Sequence, residues 1–213
     1  SDNSGAKELW RGPWAGISRT NWILTNIDKS PKISDAKKTQ YKGEAHFLRG
    51  LYYFNLVRLF GDVPWIDKQQ TASDDLQVSR TSKDIVYQHI IDDFSDAASM
   101  LPAVYENTTD IGRATKGAAF GLLAKVYLTL KRYNETLVAI DSVMNLGVYS
   151  LNRKYEWNFS DLRENGPESL FEVQYEKDVT AYSEFDILGQ GGWHHEYICL
   201  LYTSPSPRDR SVS

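Results

Sequence analysis

Three groups of polar residues have types that could support metal binding or acid/base catalysis. His194–Glu196 (His-His-Glu) offers metal ligands, but adjacent loop residues seldom converge on one ion, and no further His or Cys cluster supports a site. The pairs Asp74 with Asp75 and Asp92 with Asp93 could serve as acid and base. Glycosidase carboxylates, however, face each other across a cleft from separate segments. We therefore interpret these aspartates as solvated loop and helix residues, and we predict no metal site and no cofactor.

Aromatic residues are better candidates for a ligand site. Trp193 stands beside the Gly-rich stretch Gly189–Gly192, and a Trp flanked by glycines rarely has a packing partner fixed by its own element. It is therefore the first candidate for ligand contact, followed by Tyr182, Asn158 and Trp157. The remaining tryptophans are interpreted as packing residues. Trp65 is expected to cover the end of a helix, and Trp10, Trp14 and Trp22 occur at helical spacing.

Composition limits the function classes. The formal charge is −4 and no basic patch stands out, which argues against a general nucleic-acid binder. Apolar residues make up 41% of the chain, enough for a core, and 13% are aromatic, which suits packed helices and carbohydrate-stacking surfaces equally. No Gly-rich phosphate loop follows a strand, and no nucleophile elbow occurs. Neither of these two motif-based site types is therefore indicated by the sequence.

A central helix is expected to organise the fold that positions the candidate ligand residues. Glu44–Pro64 reads E-A-H-F-L-R-G-L-Y-Y-F-N-L-V-R-L-F-G-D-V-P, with apolar residues on nearly every side. It is shorter than the roughly 20 clean apolar residues of a membrane span, so it predicts a buried helix packed by neighbours on several sides. Gly61 and Pro64 end it. Arg49 and Arg58 are expected to bind carbonyls or carboxylates across the helix packing.

The other elements are mainly helical. Ser1–Leu9 is expected to be frayed and Lys29–Lys38 to be a loop, while a short strand is predicted at Leu170–Tyr175. Further helices are predicted at Trp10–Asp28, Arg113–Leu130 and Tyr133–Leu146. Another helix is predicted to follow Thr81 and to end at Leu101, with Asp84 close to a capping box and Ile85 on its apolar face. The helices Arg113–Leu130 and Tyr133–Leu146 fit the tetratricopeptide template through Phe120, Leu123, Ala124, Tyr127, Tyr133, Ile140 and Val143. One such pair cannot bury its face alone, so other helix pairs must stack on it.

The end of the sequence changes character. Cys199–Asp209 reads C-L-L-Y-T-S-P-S-P-R-D, which resembles the in-frame translation of a transposase adapter used in sequencing libraries. We therefore expect 199–213 to be a sequencing scar, with the natural protein continuing beyond Ile198. Because the chain begins at Ser1 and not at Met, we also expect its natural start to be missing.

Two stretches resemble the SusD/RagB family of outer-membrane nutrient-binding lipoproteins from Bacteroidetes. The Glu44–Pro64 segment is similar to the first signature of that family. R-A-T-K-G-A-A-F-G-L-L-A-K-V-Y-L, from Arg113, is similar to the second, and S-L-F-E-V-Q-Y, from Ser169, follows in the same order. The resemblance implies a mainly α superhelix of tetratricopeptide-like hairpins with a few short strands and long loops. It assigns 1–198 to the N-terminal portion of such a protein.

The function that this resemblance implies is not catalytic. Family members capture glycan, or in some cases peptide, and deliver it to a SusC-like TonB-dependent transporter at the outer membrane. They are lipid-anchored and surface-exposed, and the anchoring Cys is expected before Ser1. Their ligand is usually held on an aromatic platform, where ring faces stack on the C–H face of a sugar. Two alternatives are a tetratricopeptide-type adaptor for peptides or proteins and a glycoside hydrolase.

Overall fold

A mainly α-helical fold is present in the computed structural model, which describes residues 4–71, 73–74, 77–160 and 164–174. Within these residues, five α-helices follow one another: α1 (Ser4–Asn26), α2 (Asp35–Phe60), α3 (Lys83–Met100), α4 (Lys116–Thr129) and α5 (Tyr133–Met144). Single-turn 3₁₀ helices occur at Ile27–Lys29, Thr108–Asp110 and Tyr155–Phe159. In the same residues, no helix is both long and apolar enough to cross a membrane.

Helix α2 is the centre of the fold, as predicted. Phe47, Leu51 and Phe54 are buried among α1 and α3, and α2 also contacts α4. The helix begins at Asp35, earlier than predicted, because Ser34 caps it by accepting a hydrogen bond from the Lys37 backbone N–H at 3.4 Å. Gly61 ends it with φ +70°, a conformation that disfavours any residue with a side chain.

Helix α1 differs from the sequence predictions in where it begins and in the environment of Trp22. It begins at Ser4, so the expectation of a frayed start is wrong for residues 4–9, and Pro13 lies inside the helix. Trp10 packs edge-on against Phe60, with ring centroids 5.0 Å apart, which confirms its packing role. Trp22 does not pack in this way and is 56% exposed. At about 100° per residue, it lies about 120° around the helix from Trp10 and so leaves the core-facing side.

Helix α3 packs on α2 but starts differently from the prediction. Its N-cap is Ser82, which makes no side-chain cap bond. The Lys83 N–H instead donates to the carboxylate of Asp62, at 2.8 Å, so the cap comes from the segment after α2 and not from a local capping box. Ile85 is exposed, contrary to prediction, because the buried face of α3 begins at Val86 and runs through Ile90 and Phe94.

Helices α4 and α5 form the predicted helical hairpin. α4 begins at Lys116 and not at Arg113, because the Thr115 hydroxyl caps it by accepting from the Ala118 N–H at 3.1 Å. α4 packs against α3 as well as α5. Two residues assigned to the tetratricopeptide seam are largely exposed, namely Tyr133 and Ile140, because they lie on the side of α5 that faces away from α4.

The segment after α5 was predicted to contain a short strand. Residues 170–174 form no strand, so this prediction is wrong over those residues, while Tyr175 lies outside the described part of the chain. Two consecutive side chains of this segment pack on helices instead, whereas Val173 is exposed. Phe171 lies edge-on against Phe47 of α2, with centroids 4.9 Å apart. A Cβ at Gly121 of α4 would collide with Leu170, so the glycine provides the space for that side chain.

Candidate functional site

Two of the four predicted ligand residues can be located. Trp157 and Asn158 are neighbours in the 3₁₀ helix Tyr155–Phe159, and both are half-buried. The Asn158 side-chain oxygen accepts a hydrogen bond from the Asn152 amide, which fixes its orientation. Tyr155 is largely exposed and lies edge-on to Phe159, with centroids 5.0 Å apart. The turn therefore presents an aromatic surface with an oriented amide, as a sugar ligand requires.

A cleft of about 290 Å³ lies between the loop before α4 and the segment after α5. Tyr149 forms part of its wall, and its hydroxyl is 2.9 Å from the Thr115 hydroxyl at the start of α4. A Cβ at Gly117 would collide with the Tyr149 ring, so this glycine lets the ring lie flat on α4. The apolar lining includes Val104 and Ile111, both exposed. The cleft is at the small end of the size range of ligand pockets.

The carboxylates of Asp110 and Glu172 line this cleft, and Arg113 connects the first of them to Glu44 of α2. Arg113 binds Glu44 at 2.7 Å and Asp110 at 2.8 Å. Glu172 accepts a hydrogen bond from the Asn165 N–H at 3.0 Å. Tyr105 donates to Glu44 and to a backbone carbonyl, and burial, reinforced by Glu44, raises the pKa of its phenol. Each of these carboxylates therefore has a hydrogen-bonding or ionic partner within the protein.

A buried polar cluster connects the helices to the segment after α2. Asp93 of α3 accepts two bonds from Arg49, at 2.9 Å from Nε and 2.7 Å from Nη2, and lies 2.7 Å from His46 Nδ1. Arg49 also donates to the side chain of Asn21 and to the backbone carbonyl of Asp67, both at 3.0 Å. The prediction for Arg49 is thus confirmed, whereas the interpretation of Asp93 as solvated is wrong.

The charge of Arg49 is held by this cluster. Burial alone would lower the pKa of the guanidinium, but its bond with Asp93 and the negative charge of that carboxylate raise the pKa above its ordinary value. Arg58 differs from Arg49: among the described residues, its guanidinium donates to the side-chain oxygen of Asn55 on the same helix, at 3.0 Å, and lies over the Phe54 ring, so the prediction of a bond to another helix is not met there. The ion pair of Arg49 therefore serves to orient α2 and α3.

The packing interpretation of Trp65 is supported by its contacts. Its ring stacks on His89, with centroids 4.3 Å apart, and on Tyr53, with centroids 4.2 Å apart. Tyr53 in turn accepts from the Ile66 N–H at 2.7 Å, which fixes the chain as it leaves α2. Trp65 therefore covers the end of the central helix, as its position in the sequence predicts.

The remaining candidate residues divide between described and undescribed parts of the chain. Trp193, Tyr182, Asp75 and the His194–Glu196 group lie outside the described residues, so they stay predictions. Asp74 is in a described loop, where the backbone and hydroxyl of Thr71 donate to it and hold its pKa below the usual value. Between residues 4 and 174, apart from the gaps given above, no group of three metal-ligating side chains is present.

Comparison with known proteins identifies related sequences and structures. A family model described as SusD-like, "starch-binding associating with outer membrane", matches residues 1–128. SusD-like protein P25 of Formosa agariphila is 26% identical, over 87% of this chain and 35% of its own length.

Solved structures give the same result. A SusD-like protein from Bacteroides fragilis is 33% identical with a TM-score of 0.75, covering 81% of this chain and 34% of that one. A laminarin-binding SusD-like protein is 29% identical with a TM-score of 0.72, covering 78% and 37% of the two chains. The chain thus spans about a third of the length of these relatives.

Proposed function

The chain belongs to the SusD-like family, and from that membership we propose that it is part of a non-catalytic protein that captures glycan at the outer membrane. The captured glycan is delivered to a SusC-like TonB-dependent transporter. The match over residues 1–128, whose family description names starch binding and the outer membrane, is the observation that carries this proposal. The laminarin-binding relative supports a polysaccharide as the ligand class.

The structure adds a physical argument for binding without catalysis. Glycoside hydrolysis needs two carboxylates facing each other across the scissile bond. Of the carboxylates that line the cleft described above, Asp110 is held by Arg113 and Glu172 by the Asn165 N–H. The aromatic turn at Trp157 and Asn158 supplies stacking and an amide instead. We assign these two residues, with Trp193 and Tyr182, to ligand contact.

Affinity electrophoresis of the protein that the complete gene encodes tests the proposal. In native gels containing soluble starch or laminarin, the protein should migrate more slowly than in gels without polysaccharide, relative to a non-binding marker protein. Incubation with the same polysaccharide should release no reducing sugar. Unchanged migration in every gel would contradict glycan capture and favour a peptide ligand, and released sugar would favour a hydrolase.

Attachment and delivery form a separate part of the proposal. We assign the protein to the outer-membrane surface, held there by an N-terminal lipid anchor. When solubilised outer membranes are fractionated with an antibody to the protein, a TonB-dependent transporter should copurify. Recovery of the protein without any such transporter would contradict delivery while leaving glycan capture intact.

A further inference from the structure

Trp22 is exposed, whereas the other tryptophans in the described part of the chain are not. Its side chain is 56% exposed on the last turns of α1. Trp10, Trp14, Trp65 and Trp157 are each at least half-buried. An exposed tryptophan ring leaves a large apolar face available for contact, and such a ring carries a large share of the binding energy when it is covered. Trp22 therefore suggests contact with something outside this helix bundle.

Hydrogen-bonding groups surround Trp22. Arg19 lies three residues before it, and Thr25 and Asn26 lie three and four residues after it, at the spacings that place side chains side by side on a helix. Asn26 donates to Gln69 at 2.7 Å, and the Thr25 hydroxyl accepts from the Gln69 N–H at 3.3 Å. One aromatic face is thus bordered by a cation, a hydroxyl and amides.

This border is fixed in place. Asn21, fully buried beside Trp22 in the sequence, donates to the Ile66 carbonyl at 2.7 Å and accepts from Arg49 at 3.0 Å. The segment Ile66–Gln69 is therefore tied to α1 at two points, through Asn21 and through Asn26. Groups held in one geometry lose little conformational freedom when a ligand binds.

The surroundings of Trp22 distinguish a sugar from a protein partner. The outer face of α5 shows what an uncovered packing surface looks like in this chain, with Tyr133, Leu137, Ile140 and Met144 at successive spacings of four, three and four residues. Interfaces with proteins have such contiguous apolar centres. Trp22 is a single ring among polar groups, and one ring with adjacent donors and acceptors suits a pyranose, which has an apolar C–H face and hydroxyls at its edge.

We propose that Trp22, with Arg19, Thr25, Asn26 and Gln69, forms a second carbohydrate-binding subsite on the outer face of α1. The pyranose ring stacks on the indole of Trp22, and its hydroxyls bind Arg19, the Thr25 hydroxyl and the Gln69 amide. Both N–H bonds of Asn26 are made within the protein, to the Gln69 side chain and to the Trp22 carbonyl, so Asn26 holds Gln69 in position. This subsite rests on the proposed glycan capture, since it takes the same class of ligand. It lies on a different element from the aromatic turn at Trp157.

Binding by tryptophan variants of the complete protein tests this subsite. In gels containing laminarin or soluble starch, whichever retards the wild type more, Trp22→Ala should weaken the apparent affinity by about tenfold or more. Trp22→Phe should retain part of it, because a smaller ring still stacks. Ile85→Ala is the matched control, because it removes an apolar side chain of similar exposure, 52%, from α3 and should change nothing.

The outcomes separate this subsite from the proposed function. Retardation of Trp22→Ala equal to that of the wild type would overturn the subsite and leave glycan capture standing. A wild type that neither polysaccharide retards would overturn capture and the subsite together. Oxidation of the wild type with N-bromosuccinimide, read by peptide mass spectrometry, needs no variant to fold. Saturating polysaccharide should protect Trp22 at least about fivefold, and equal oxidation with and without it would overturn the subsite.

Discussion

Removal of the Asp93 carboxylate is the sharpest test of the scaffold. Asp93→Ala deletes the acceptor of two hydrogen bonds from Arg49 and of the contact with His46. The guanidinium, only 9% exposed, then stays in the core without its counter-charge. Because α2 and α3 are joined at this point, the substitution tests whether the cluster holds the two helices together.

The expected magnitude follows from burial. Breaking a buried ion pair by removing one partner typically costs about 3–5 kcal/mol, because the remaining charge is desolvated and unpaired. Arg49 keeps its bonds to Asn21 and Asp67, which lessens the loss, so we expect about 3 kcal/mol. A domain of this kind has a free energy of unfolding of only about 5–15 kcal/mol. The variant should therefore be folded but much less stable.

Urea denaturation followed by circular dichroism at 222 nm measures this loss. Asp92→Ala is the matched control on the same helix, because Asp92 is exposed and its carboxylate accepts a hydrogen bond from Gln88, at 2.9 Å, one turn earlier on α3. We expect the control to change the free energy of unfolding by about 0.5 kcal/mol or less. Replacing the pair together, as Arg49→Met with Asp93→Leu, should recover part of the loss, since no unpaired charge remains.

Two results would refute this reasoning. A loss below about 1 kcal/mol for Asp93→Ala would mean that water reaches Arg49 and that the pair behaves like a surface ion pair. An equal loss for Asp92→Ala would mean that helix propensity, and not the ion pair, determines the stability at this position.

Three further predictions concern packing, pH and ligand contact. Gly43→Ala should lower the melting temperature although alanine favours helices, because the new Cβ would lie 2.9 Å from Met100 Cβ. The control Gly5→Ala should not lower it, because a Cβ there meets no atom within 4 Å. Equal melting temperatures of the two variants would contradict close α2–α3 packing. Burial raises the pKa of Tyr53, so its phenol contributes stability below about pH 10 that is lost as the pH rises further. Tyr53→Phe should therefore make urea-measured stability fall less steeply between about pH 9.5 and 11, and an unchanged slope would exclude Tyr53 as its source. Trp193→Ala in the complete protein should weaken retardation in polysaccharide gels without changing the melting temperature; lost stability with unchanged retardation would identify it as a packing residue.

The central helix could be predicted from the sequence because its signal is local and redundant. Apolar residues occur on every side of Ala45–Phe60, and a slip of a few residues would leave that pattern unchanged. Gly61 and Pro64 mark its end independently. Phe47, Leu51 and Phe54 are buried as the pattern requires.

Helix starts were harder to predict, because a local cap such as Ser34 or Thr115 is one polar residue among many, and the cap of α3 is a contact that the local sequence does not contain. The first N–H groups of α3 are satisfied in part by Asp62, twenty-one residues before Lys83. The first turns of α1 and α2 are polar, so they give no apolar periodicity to extend the prediction backwards. A tertiary contact thus contributes to the start of α3, whereas a single local cap marks the start of α2.

The functional residues were misjudged where residue type was given more weight than position on the helix. On α3, Asp93 lies within about 60° of the buried residues Ile90 and Ala97, whereas Asp92 lies about 160° from Ile90. The helical period therefore contained the signal for a buried carboxylate. Its partner, Arg49, could not be identified in the same way, because pairing across two helices depends on their packing angle.

Helix α1 also has a buried polar residue, and this residue connects the scaffold to the proposed subsite. Asn21 occupies a core position and Trp22 an exposed one, the reverse of what hydrophobicity alone predicts. The core accepts Asn21 because Arg49 and the Ile66 carbonyl satisfy its amide. Apolar packing tolerates small rotations of a helix, whereas the two-point bond between Arg49 and Asp93 has one geometry. Through Asn21, that bond also fixes the rotation of α1, and with it the direction in which Trp22 faces the solvent.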